Sequence, residues 1–457
     1  MERIVIVSAD GHSGGPPEQY LDYIDPEYRE DLEALVEVDR FWRDSTPTQR
    51  RYSDETLDLI DRGDAIRGGG EFGAYELDRR LAELDREGVA AEVLIAGHQV
   101  AMLPFFAVIN HAYPAAHRAA GARAYHRQLA DFMADSNGRL FGIGEPGPCL
   151  DIDATVAELG YLASHGFVGV APPGNVADPQ TPSLVDPVFE PFWATCADTG
   201  LVLTVHAAYG ASQYGKEQGE MLAMVVSQLG AEEALRMQFT ADTSIDQMPE
   251  DSPVRAAITE PRRVFWQLMM AGVFDRHPAL KLVLTEVRAD WIPATLDLMD
   301  RHFAASDSRL AMSPREYWHR HVYVTPSSPR PLEVAMRDVI GTDRFMFGMD
   351  YPHPEGTWPN SREWIQHAFA GVSEDELRAM LGGNAIECFG LDGDALAAEA
   401  ARIGPEVREL VGEHEVDERM VDSFHGRSGY LRPPEVVDTA FYGRMIADDE
   451  RRVATPH

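Results

Sequence analysis

Short apolar runs rich in β-branched residues alternate along this chain with longer stretches whose apolar positions recur every three to four residues. Arg3–Ser8 (RIVIVS), Val89–Ala96, Arg139–Gly144, Phe167–Ala171, Leu201–Ala207, Leu280–Thr285, His321–Thr325 and Phe345–Gly348 read as strands. Tyr75–Glu87 (YELDRRLAELDRE) sets Leu77, Leu81 and Leu84 on one helical face and closes at Gly88. Helical spacing returns over 110–136, 151–165, Asp186–Thr199, Arg262–Phe274, Asp290–His302 and Pro331–Ile340, and again around 361–370 and 373–389. Strict alternation of strand and helix predicts a parallel sheet with helical crossovers. Eight such units predict an α/β fold closed as a (β/α)8 TIM barrel.

Two stretches are longer than a barrel connection needs. Residues 13–74 are punctuated by proline and glycine and read as a long loop after the first strand, with a few short helices. Residues 208–260 read as a helical insertion after the fifth. Long loops at this end of a barrel commonly build the pocket or act as lids. Gly68-Gly69-Gly70 lacks the Lys-Ser/Thr that would follow in a phosphate loop and reads as a flexible hinge. The barrel domain is expected over 1–393. The charged 394–457 stretch, with Pro433-Pro434, is expected as a C-terminal extension that wraps the barrel or a neighbouring subunit.

Composition changes this picture mainly by exclusion. The formal net charge of −35 over 457 residues argues against nucleic-acid binding and against adhesion to anionic membranes, both of which need a basic footprint. The longest apolar region, Val89–Ile109, is interrupted by Glu92, His98, Gln99 and Pro104, so no membrane span is expected. Cys149, Cys196 and Cys388 are far apart and odd in number, which gives neither a disulfide framework nor a cysteine zinc motif. The N-terminus enters a strand at once, without a signal-peptide layout, and a cytoplasmic location is expected.

The candidate chemistry lies where the strands end. FMFGMDYPHPEGTWP (Phe345–Pro359) breaks a short apolar strand at Gly348 and then sets down Asp350 and His353. Alone, that stretch reads as a capped turn. The first strand, however, ends in Asp10-Gly11-His12, the fifth on His206 and the sixth at Glu286. Parallel barrels put their chemistry at the carboxyl ends of strands, and residues two apart on a strand share a face, so Asp10 and His12 project together. Imidazoles and carboxylates in one pocket suit one divalent metal ion: zinc first, with manganese or iron(II) as alternatives. Such an ion would bring a bound water to a near-neutral pKa, with Asp350 placed as general base. His98 after the second strand, Arg288 and His353 are the expected substrate-binding residues; Trp291 and Trp358 are expected to pack.

SADGH at the first strand, LTVHA at the fifth, HPALKLVLTE–DWIP at the sixth, and FGMDYPHPEGTWP with LGGNA resemble the amidohydrolase superfamily. More narrowly they resemble the amidohydrolase-related family that includes aminocarboxymuconate semialdehyde decarboxylase, over roughly residues 3–390. The resemblance implies a mononuclear metal site at Asp10, His12, His206 and Asp350; the expected catalytic residues are Asp350, Glu286 and His206. In one respect the chain departs from that pattern. Glu286 stands where decarboxylases of the family place a histidine. The expected reaction is therefore hydrolysis of an amide, ester or lactone in a small substrate, with aromatic or carboxylated ones among the candidates. Non-oxidative decarboxylation is the alternative, and a non-catalytic binding barrel is a third reading. The expected assembly is a homodimer without nucleic-acid or membrane partners.

Overall fold

The computed structural model describes residues 3–45, 52–97, 105, 113–147, 149–173, 181–209, 248–250, 252–306, 310–427 and 437–454. Seven strands pair in parallel and in chain order: β1 Val7–Ser13, β2 Ala91–Ala96, β3 Leu140–Gly144, β4 Phe167–Val170, β5 Val202–His206, β6 Leu282–Thr285 and β7 Val322–Thr325. An open doubly wound sheet would reverse its strand order at a switch point; this one never does. The stretch 345–351 lies between the two edges. Met346 N donates to Val324 O of β7 at 2.9 Å, while Ala9 N and His12 N of β1 donate to Phe347 O and Tyr351 O at 2.9 and 2.7 Å. The ring is thereby closed, as a (β/α)8 barrel requires.

The eighth segment is not a regular strand because its backbone serves several partners. Phe347 N turns away to Met380 O at 3.0 Å, and Phe345 O accepts from Asn384 Nδ2 at 2.7 Å. The strands are apolar on both faces, as parallel strands covered by helices must be. Leu282 and Leu284 join the large core shared with the helices, whereas Val283 between them belongs to a second cluster with Val93, Ile143, Tyr323 and Met346. Period-two alternation thus divides the barrel interior from the outer layer.

Several boundaries differ from those expected. The first strand runs over Val7–Ser13 rather than Arg3–Ser8, so Asp10 and His12 lie within it. The residues before it are held elsewhere: Ile4 N donates to Pro405 O at 3.0 Å. Pairing of β1 with β2 slips by one residue between Ser8 and Gly11, a bulge of the kind that re-aims side chains. The helix expected from Arg262 starts at Pro253, capped by Ser252, and runs through Pro261 to Met270. Pro314–His321, with a complete Ser313/Glu316 capping box, is a helix that periodicity did not suggest.

Gly68–Gly70 is a packed turn and not a hinge. Gly70 O accepts from the Tyr351 hydroxyl, and a Cβ on Gly70 would lie 2.7 Å from Trp358 Cζ2. The first insertion carries helices Arg29–Ser45 and Asp54–Ile60, while most of 208–260 lies outside the described residues. In the extension, helix Thr439–Ala454 docks on Pro253–Met270. Its buried Asp449 accepts from both arms of Arg263 at 2.6 and 2.8 Å, and from Trp266 Nε1 and Gln267 Nε2 at 2.8 Å each. Among the described residues no helix is long and apolar enough to cross a membrane.

Candidate metal centre

The bulge in β1 and the glycine after it explain how Asp10 and His12 come to share a face. A Cβ on Gly11 would fall 2.0 Å from Glu92 Oε1, so no other residue fits between them without moving Glu92. Glu92 is fixed by Arg80, whose Nε and Nη2 donate to Glu92 Oε2 at 2.9 and 2.7 Å. Arg80 Nη1 then reaches the His12 carbonyl at 2.6 Å, and both charged side chains are fully buried. A buried ion pair therefore anchors the backbone from which two candidate ligands project. At the ends of β6 and of the closing segment, Glu286 and Asp350 adopt left-handed φ values of 56° and 57°. Non-glycine residues pay for that conformation, and strain of this kind gathers at functional sites.

These side chains converge. His12 Nε2 lies 3.2 Å from Asp350 Oδ1 and 3.7 Å from Asp10 Oδ1. His206 Nε2 lies 3.8 Å from Asp10 Oδ1 and 3.0 Å from Glu286 Oε2. Atoms bound to one ion at about 2.0–2.2 Å stand roughly 3–3.6 Å apart, close to these separations. Three overlapping donor sets, Asp10–His12–His206, His12–Asp350–His353 and Glu286–Asp350–Glu355, each have their ligand atoms within 4.8 Å of one another. Among the described residues, Asp10 Oδ1, His206 Nε2 and both Asp350 carboxylate oxygens are buried without a hydrogen bond of normal geometry.

The His206 ring makes the same point chemically. Its Nδ1 lies 3.0 Å from the Ala207 carbonyl, which can only accept, so Nδ1 carries the proton. Nε2 then faces two carboxylates, and a proton or a cation must sit between them. Protonation levels agree. Burial raises Asp10 to about 6 and Asp350 well above the carboxylate range. Burial opposes charge on His206, but the Glu286 carboxylate overrides it and lifts the ring to about 10. His353 rises to about 9 because Asp350 likewise outweighs burial. The cluster holds protons where a bound cation would displace them, and its oxygen and imidazole donors suit a divalent metal.

The expected residues are not all in this cluster. Asp10, His12, His206, Glu286 and Asp350 are brought together, and His353 joins them, stacked on His12 at 3.9 Å between ring centroids with Nδ1 3.1 Å from Asp350 Oδ1. Arg288 is fully buried and donates to Asp290 at 3.0 Å, in a network that includes Arg330 and Glu333. Pairing with a substrate would have to open that network. His98 lies outside the described residues. Trp291 and Trp358 are buried, as expected.

Sequence reasoning missed Glu355 and Glu145. Glu355 lies 3.9 Å from His353 Nδ1. Glu145 follows the last residue of β3 just as Glu286 follows that of β6; that parallel was the available signal. Its backbone N–H donates to His126 Nε2 at 2.9 Å, and burial raises its carboxyl to about 7 against the lowering influence of His206.

Comparison with known proteins gives the family and the fold. The profile described as amidohydrolase matches residues 100–391. The gamma-resorcylate decarboxylase of Rhodococcus jostii (strain RHA1) is 26% identical over 285 residues, covering 59% of this chain and 77% of that protein. In fold, the chain resembles 5-carboxyvanillate decarboxylase from Sphingomonas paucimobilis, with a TM-score of 0.55 and 20% identity over 85% of this chain and 100% of that one. It also resembles the dihydroxybenzoic acid decarboxylase from Polaromonas sp. JS666, solved with bound manganese, with a TM-score of 0.55 and 17% identity over 87% and 99% of the two chains. By its profile match and its barrel, this chain belongs to the amidohydrolase family.

Proposed function

We propose that this chain is a metal-dependent, non-oxidative decarboxylase of a small hydroxylated aromatic carboxylate. The observation that carries the reading is the close approach of Asp350 to His12, of His12 to Asp10 and of Asp10 to His206 at one end of the barrel, in a chain whose relative is a gamma-resorcylate decarboxylase. Those four are the proposed ligands, with manganese or zinc the proposed ion. When bound, the ion would hold the substrate's carboxylate and neighbouring oxygen and draw electron density from them.

The remaining work falls to the protein's own groups. Cleaving a carbon–carboxylate bond leaves an electron pair on the ring carbon, so a proton must reach that carbon as carbon dioxide departs. Asp350 and His353, 3.1 Å apart, are the proposed carriers of that proton, which is replaced from solvent after product leaves. Glu286 Oε2 lies 3.0 Å from His206 Nε2, the nitrogen that would hold the ion, so Glu286 would stand beside the same ion as a further ligand, a role that needs no imidazolium.

Hydrolysis is kept as a second reading by one observation: the β6 position carries Glu286 where the family's decarboxylases place a histidine. The discriminating experiment incubates manganese- and zinc-loaded protein with hydroxybenzoates and carboxyvanillates, and separately with aryl esters, amides and lactones. Release of carbon dioxide with formation of the matching phenol is expected. Turnover of the second panel with no carbon dioxide from the first would sink the decarboxylase reading in favour of the hydrolase.

A further inference from the structure

We propose that Ser327 is a positioning residue that commits Asp10 to ligate the metal through one oxygen only. The inference rests on the reading of Asp10 as a ligand. Immediately beyond β7, Ser327 and Ser328 both adopt left-handed backbone, with φ of 45° and 47°. Nothing in their side chains favours this conformation, so the surrounding structure imposes it. The turn places the buried Ser327 hydroxyl against Asp10, where Oγ donates to Oδ2. Beside an ionised carboxylate a hydroxyl donates, and such charge-assisted bonds are among the stronger ones.

The two oxygens of Asp10 therefore have different duties. Oδ2 is taken by Ser327. Oδ1 makes no hydrogen bond among the described residues and is the atom facing His12 Nε2 and His206 Nε2, at 3.7 and 3.8 Å. The rest of Asp10 is pinned as well. Its carbonyl accepts from Ser8 Oγ at 2.6 Å and from Asp350 N at 2.8 Å. Gly348 brings the closing segment so near that a Cβ there would lie 2.7 Å from Asp10 Cβ and 3.2 Å from Ser327 Oγ. With backbone and Cβ fixed, the remaining freedom is rotation about the two side-chain torsions. Ser327 removes it. Partners of metal ligands in this position typically change affinity by about 10–100-fold when lost.

The test uses full-length protein stripped of metal and titrated with manganese(II) or cobalt(II) against a competing chelator, for wild type, Ser327→Ala, Ser327→Gly and Ser328→Ala. The cobalt absorption spectrum is recorded in parallel, since its band positions and intensity report coordination geometry. Glycine accepts left-handed backbone without strain, so Ser327→Gly keeps the turn while removing the hydroxyl. Ser328→Ala removes a neighbouring buried hydroxyl that makes no hydrogen bond among the described residues. Affinity about 10–100-fold weaker, with an altered cobalt spectrum in both Ser327 variants and neither change in Ser328→Ala, is the expected result. Unchanged affinity and spectrum in Ser327→Ala, with tight binding in wild type, would overturn the inference. Failure of wild type to bind either metal would refute the metal centre itself, and this role with it.

Discussion

Replacing Glu92 by glutamine separates the charge of the buried Arg80–Glu92 pair from its shape. Both side chains are fully buried, and Glu92 Oε2 accepts two hydrogen bonds from Arg80 at 2.7 and 2.9 Å. The guanidinium also spans to His12 O at 2.6 Å and Gly73 O at 3.3 Å, over the Tyr351 ring at 4.7 Å. Leaving one member of a buried ion pair uncompensated costs about 3–5 kcal/mol. Glutamine still offers an oxygen, so Glu92→Gln should fall near the lower end, about 3 kcal/mol. Arg80→Met strands the Glu92 charge and also strips the His12 carbonyl of its donor, adding roughly 1–3 kcal/mol. The double variant Arg80→Met/Glu92→Met buries no charge, so it should cost less than Arg80→Met alone. Urea unfolding followed by circular dichroism and tryptophan fluorescence reads these differences, with six of the seven tryptophans buried as reporters. A Glu92→Gln cost below about 1 kcal/mol, or a double variant as costly as the two single ones added, would refute the reasoning. Metal content should fall with stability in Arg80→Met, because the segment presenting His12 loses its anchor.

Other expectations follow from the same geometry. Wild type purified beside His206→Ala should carry about one manganese or zinc per chain against much less in the variant, by plasma mass spectrometry, and chelation should abolish wild-type turnover. Asp449→Ala strips Arg263, Trp266 and Gln267 of their shared acceptor and leaves Arg263 with Glu260 alone; it should cost roughly 1–3 kcal/mol, seen as early proteolytic release of helix Thr439–Ala454 while the barrel stays intact. Glu145 binds its proton more tightly folded, at about 7, than at its ordinary 4.5. Its contribution to stability is therefore complete below pH 4.5 and is lost as the pH rises to about 7. Glu145→Gln should gain on wild type across that window by on the order of 2–3 kcal/mol. Parallel pH dependence of the two proteins would remove Glu145 from this account.

Local pattern was enough to find the barrel and most of the cluster. Strand and helix announce themselves through spacings of two and of three to four residues, and the chemistry of a parallel barrel is confined to strand ends. Asp10, His12, His206, Glu286 and Asp350 could thus be picked from four short stretches. What the sequence alone did not carry were contacts between positions far apart in the chain. The first strand was placed too early because Ile4 and its neighbours look like a strand, yet Ile4 bonds Pro405. A helix was expected from Arg262, but it begins at Pro253, capped by Ser252, and runs through Pro261. Arg288 stood beside Glu286 in sequence and looked available to substrate, whereas tertiary packing gave it to Asp290. Arg80 and Glu92, on a helix and the following strand, gave no hint that they support the His12 backbone. Spacing along the chain reports which face a residue occupies; only the closed ring decides what that face meets.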